Sequence, residues 1–98
     1  MTAVLVGRPV LDREGEKVGK VVDLISDPQT LQPQWAAVKV GLLKGNRLVP
    51  IGAMQEEEGA VRSTYTKDQI DSAPPVEIGT PTETEQRQLF EHYGIHPD

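Results

Sequence analysis

The sequence predicts a mainly β protein, a small barrel of about six strands followed by a short helix and a C-terminal helix. Three observations carry that reading. Between Leu5 and Pro28, two apolar runs rich in β-branched residues flank the charged turn Asp12-Arg13-Glu14-Gly15-Glu16. Gly15 falls where a hairpin needs a positive φ. Short apolar runs then recur from Trp35 to Thr64 with Gly, Asn and Pro between them, the spacing of a barrel or sandwich. At Tyr65 the period-two alternation gives way to helix-capping chemistry.

The first strand is expected over about Val4 to Leu11. Pro9 cannot donate a ladder hydrogen bond, so this strand is read as an edge or as bulged there. The second, about Lys17 to Ser26, places Val18, Val22 and Leu24 on one face and Val21 and Ile25 on the other. A strand apolar on both faces is covered on both, by a curled sheet, a helix or another subunit. Asp27-Pro28 opens a loop through Gln34. The third strand, about Trp35 to Leu42, shows Ala36, Val38, Val40 and Leu42 on one face and Trp35, Ala37 and Lys39 on the other. Gly41, Gly45 and Asn46 turn the chain into a fourth strand, Arg47 to Ile51. Ala53 to Glu56 and Ala60 to Thr64 follow, joined by a turn with Glu57, Glu58 and Gly59.

Thr66 and Gln69 have the spacing of a capping box, and Pro74-Pro75 stops that helix after Ala73. A second start signal follows at Thr80-Pro81-Thr82-Glu83, with Thr80 as cap, Pro81 at the first helical position and Glu83 closing the box. This helix is expected to reach His92 or Tyr93 and to end at Gly94, with Ile95 folding back. Its apolar residues Leu89, Phe90 and Tyr93 all lie in its second half, so it is anchored at one end. The organisation read is a barrel domain over residues 1–78 and a helical extension over 79–98.

Composition narrows the function classes. The chain has 98 residues, ten basic and fifteen acidic, for a net charge of −5. That balance lacks the clustered Lys/Arg footprint of phosphate neutralisation and weighs against nucleic acid as a partner. It equally disfavours an anionic membrane surface. With no cysteine, disulfides, thiol catalysis and thiolate metal sites are excluded. The longest apolar runs, Ala3 to Val6 and Trp35 to Val38, are too short for a membrane span or a signal-peptide core. The expectation is a soluble, cytoplasmic protein with no direct membrane insertion.

The ordered set Gly7-Arg8-Pro9-Val10, the Gly15 turn, Gly19-Lys20-Val21-Val22-Asp23, Asp27-Pro28, Trp35 through Gly41 and Arg47-Leu48-Val49-Pro50 resembles the PRC-barrel domain family. Tyr65 to Val76 is similar to the tail of bacterial stand-alone members. The resemblance implies a PRC-type β-barrel of about six strands that acts as a docking and assembly module. It also carries associations with the cytoplasmic domain of the photosynthetic reaction-centre H subunit and with a ribosome maturation factor.

Candidates for chemistry are few. His92 and His96 are four apart, but Gly94 breaks the helix between them and no third ligand stands out. Glu56, Glu57 and Glu58 read as a solvated turn; Asp12, Glu14 and Glu16 read as hairpin solubility. Gly41 to Gly45 lacks the Lys-Ser/Thr of a phosphate loop. Ser26, Ser63 and Ser72 have no nucleophile-elbow context. No catalytic, cofactor or metal residues are assigned, and the chain is read as non-enzymatic. Trp35 is the exception to these plain readings. It packs under the C-terminal helix against Leu89 or Phe90, or it meets a partner, as tryptophan does at binding hot spots. The interface candidates are Trp35, Ala37, Leu42 and Leu43, and the leading function is a self-associating assembly module, a homodimer. The alternatives are a cytoplasmic accessory of a membrane redox complex, with Asp23 and Asp27 relaying protons, and an RNA-processing accessory.

Overall fold

The computed structural model describes residues 5–41, 45–75 and 81–95. Six strands form one sheet: β1 (Pro9–Leu11), β2 (Lys17–Ser26), β3 (Pro33–Lys39), β4 (Asn46–Pro50), β5 (Met54–Glu57) and β6 (Ala60–Ser63). Two helices follow, α1 (Lys67–Asp71) and α2 (Glu83–Tyr93). The strand order is β4-β3-β2-β1-β6-β5, antiparallel except for the parallel pair β1–β6. The sheet curls without closing, with β4 and β5 at its edges.

Every expected strand is present, with corrections to bounds and faces: β3 begins at Pro33, inside the expected loop, and ends at Lys39, short of the expected Leu42. β1 begins at Pro9, not Val4, because Leu5 to Gly7 form a tight turn in which Gly7 takes φ 93°. Nor is β1 an edge: it lies between β2 and β6, and Pro9 is tolerated as its first residue. The bulge lies on the partner strand. Pro9 pairs with Lys20 and Val10 with Gly19, but Leu11 pairs with Lys17, so β2 carries one extra residue there. A second shift follows between Val21 and Asp23.

These two bulges correct the face assignment in β2. Each extra residue reverses the alternation that follows it. Val18 and Val21 therefore share one apolar cluster, Ile25 enters another, and Val22 is left exposed. Gly19 is required at the first bulge, since a Cβ there would collide with the Lys39 carbonyl oxygen.

Each face of the sheet carries an apolar cluster, and both clusters are covered within the chain. Inside the curl, Val10, Val18, Val21, Ala36, Val38 and Val49 pack together, and Ile70 of α1 plugs them. On the outer face, Ile25, Trp35, Ala37 and Leu48 lie beneath Leu89 and Tyr93 of α2, with Phe90 and Ile95 packed alongside. The helix caps follow the sequence in part. Thr66 Oγ1 accepts from Gln69 N–H at 3.2 Å, the first half of the expected capping box. The Gln69 side chain instead donates to His92 O at 3.5 Å, and α1 ends at Asp71 rather than Ala73. The capping box of α2 forms two residues later than expected, between Thr82 and Glu85. Both Thr-x-x-Glu frames exist in the sequence, and the frame chosen leaves Pro81 buried just outside the helix. Gly94 ends α2 at φ 70°, and Ile95 N–H returns to Phe90 O at 2.9 Å.

Candidate functional site

Of the interface candidates, Trp35 and Ala37 are on the outer face, as the alternation of β3 implied. They are 1% and 5% exposed, however, because α2 lies over them. The Trp35 ring stacks on Phe90 at 5.7 Å between centroids. Within this chain the tryptophan serves the contact between sheet and helix. Leu42 and Leu43 lie outside the described residues. The clasp is reinforced by hydroxyls. Tyr93 OH donates to Leu48 O at 2.7 Å, and Tyr65 OH to Tyr93 O at 3.2 Å. Burial pushes the Tyr93 phenol well above its ordinary pKa, with Tyr65 adding to the shift.

Asp12 departs most from its sequence reading. Instead of a solvated turn residue it is 1% exposed. Its carboxylate accepts from Glu14 N–H and Glu16 N–H at 2.9 and 2.8 Å, and from Lys67 N–H at 3.1 Å. It thus joins the β1–β2 turn to the first residue of α1. Burial opposes its charge, but the backbone donors of Glu16, Lys67, Glu14 and Gly15 outweigh that and hold its pKa below the ordinary value. The sequence signal was present: an Asp ahead of a Gly turn commonly folds onto its own backbone.

The other candidates do not converge. Asp23 caps Leu24 N–H and Asp27 caps Gln29 N–H, each at 2.8 Å, so both shape the backbone locally. Glu56 pairs with Arg8 at 3.2 Å and Glu57 with Arg62 at 2.8 Å. His92 Nε2 lies 2.6 Å from Gln69 O, linking α2 to α1, and His96 is outside the described residues. Ser63 Oγ accepts from Tyr65 N–H and Ser72 Oγ donates to Asp68 O. Among the described residues no three His, Asp or Glu side chains gather as a metal site would. No described helix is long and apolar enough to cross a membrane.

One surface feature was not foreseen. Strict alternation would put Lys17 and Lys20 on opposite faces of β2. The bulge between them brings both to the outer face, beside Leu11 and Pro9 of β1. Lys39 of β3 is directly opposite Lys20 on that face, and Asn46 of β4 is opposite Lys39. With Val18, Gly19, Val40 and Gly41 the three exposed lysines border an open groove of about 460 Å³. No carboxylate of a described residue pairs with any of them.

A small curled sheet, plugged inside by one helix and covered outside by another, is consistent with a small PRC-type barrel that is not closed. The profile of the PRC-barrel domain matches residues 3–70, well over half of the chain, and the chain belongs to that family. The match stops at Ile70, within α1, so α2 lies outside it. No curated protein matches the sequence. PRC-barrels are a non-catalytic family, and membership suggests a module for protein interaction or assembly.

Proposed function

We propose that the chain works as a docking module, holding another protein by surface contact and performing no chemistry of its own. The observation that supports this is the open groove bordered by Lys17, Lys20 and Lys39, which no described carboxylate pairs with. Crosslinking a tagged chain in its host tests the reading. Repeated recovery of the same protein is expected; recovery no different from that of an unrelated small barrel would overturn it.

A homodimer on Trp35 and Ala37 would require α2 to release both. The chain alone is therefore expected to run as a monomer in light scattering across the micromolar range. A dimeric mass would instead return that face to a second copy.

A further inference from the structure

We propose that the groove between the start of β2 and the end of β3 binds an extended, acidic segment of a partner protein. This rests on the docking reading and names the surface and the chemistry. The first argument is the cost of the arrangement to the fold. Lys20 and Lys39 are directly opposed across the ladder, and like charges so placed are destabilising. Every direct cross-strand neighbour of the three lysines on this face is Leu11, Pro9, Asn46 or another lysine. Asp23, the one carboxylate of β2, lies on the same face and is turned onto Leu24 N–H. On a chain of net charge −5, local cations have an ample internal supply of carboxylates, and these three use none of the described ones.

Spacing identifies the occupant. Lys17 and Lys20 pair with residues two apart on β1, which sets their backbones about 7 Å apart along the strand. An extended peptide repeats its side chains on one side at that same interval of about 7 Å. Acidic residues at alternate positions of such a peptide meet Lys17 and Lys20 in step, with Lys39 beside them. The half-buried Val40, beside Lys39 in the groove lining, offers apolar contact at its margin. A nucleic acid fits less well. Three lysines form a smaller footprint than the roughly six to ten phosphate contacts of strongly salt-dependent binders, and the chain's net charge repels a long polyanion. A second copy fits less well too. Its acidic turn has Glu56 and Glu57 already paired with arginines, and a two-fold contact centred on the groove would face lysines with lysines.

The test is fluorescence anisotropy with a labelled decapeptide carrying Glu at alternate positions and Val or Thr between them. Saturable binding is expected, weakening with salt, and reduced by about tenfold or more in the double variant Lys20→Glu, Lys39→Glu. Circular dichroism checks that this variant folds, and Lys17→Gln, at an exposed position, provides a second, milder reduction. No saturable binding, or equal affinity in the wild type and the double variant, overturns the proposal. So does a single-stranded decanucleotide or inorganic tripolyphosphate that binds as tightly as the peptide. A dimeric mass abolished by the double variant would overturn it in favour of a second copy. In the host crosslinking experiment, equal capture by wild type and double variant overturns the groove and leaves the docking reading standing. Capture by neither overturns the docking reading, and the peptide titration judges the groove by itself.

Discussion

At one end of the outer face, Trp35 and Ala37 lie under α2; two residues further along β3, Lys39 and its neighbour Lys20 lie open. The boundary follows from the reach of the helix. The apolar residues of α2 run from Leu89 to Tyr93, about 6 Å at 1.5 Å per residue. Trp35 to Ala37 spans about 7 Å of strand. One helical turn of apolar surface seals one strand repeat, and the next repeat carries charge. The same face is core where a helix can cover it and surface where none does. The inner face differs again, since its plug, α1, is held in place by a carboxylate as well as by Ile70.

The largest effect is expected from breaking the covered half. Trp35→Ala removes the ring stacked on Phe90 and leaves a cavity beneath α2, costing about 3–5 kcal/mol. That is a large part of the roughly 5–15 kcal/mol available to a small domain. Chemical denaturation would show it as a lower midpoint. Because no carboxylate belongs to that cluster, the loss is expected to be nearly the same at pH 4 and pH 7.

The inner plug is expected to respond to pH where the outer seal does not. The folded-state pKa of Asp12 lies below its ordinary 3.8. A depressed carboxylate contributes stability that is fully present above the unfolded value and lost as pH falls through the folded one. Asp12→Asn is therefore expected to be less stable than the wild type by a constant margin above about pH 5. The gap closes below about pH 4, as the wild-type carboxylate protonates. Denaturation midpoints of both proteins against pH measure this; a margin independent of pH would remove Asp12 from its role.

Much of this architecture was legible in the sequence, and the parts that were not share a cause. The strand runs, the Gly15 hairpin and the Gly94 cap depend on neighbours within a few residues, and the sequence displays them directly. The bulges of β2 depend on a different strand: nothing in Lys17 to Ser26 announces that Val18 and Val22 are surplus to the ladders with β1 and β3. Because Lys17 and Lys20 share a face only through a bulge, the groove could not be seen from alternation. The choice for Trp35 between helix and partner was visible as a choice, and tertiary packing decided which contact the chain makes. Asp12 misled because one hydrogen bond that defines it, to Lys67, crosses more than fifty residues.

A smaller effect is expected at the far end of β2. Leu31, in the β2–β3 loop, is 78% exposed and holds φ 62°. A left-handed backbone costs an ordinary side chain roughly 1 kcal/mol or more, and Asn tolerates it better. Leu31→Asn is expected to raise the denaturation midpoint by up to about 1 kcal/mol in stability. It should leave peptide binding at the lysine groove unchanged.

The smallest effect tests the open half of the face most directly. If Lys20 and Lys39 oppose each other at a cost, replacing one by an acid converts a repulsive cross-strand pair into an attractive one. Such pairs contribute roughly 0.2–1 kcal/mol, and both side chains are exposed, so the lower part of that range applies. Lys20→Glu alone is thus expected to be slightly more stable than the wild type, by a few tenths of a kcal/mol at low salt. The difference should shrink as salt rises and screens the pair. Thermal melts at 20 mM and 500 mM salt would resolve the trend. A Lys20→Glu variant less stable than the wild type at low salt would mean that Lys20 already has a favourable partner, and the lysine end would then be no more open than the face beneath α2.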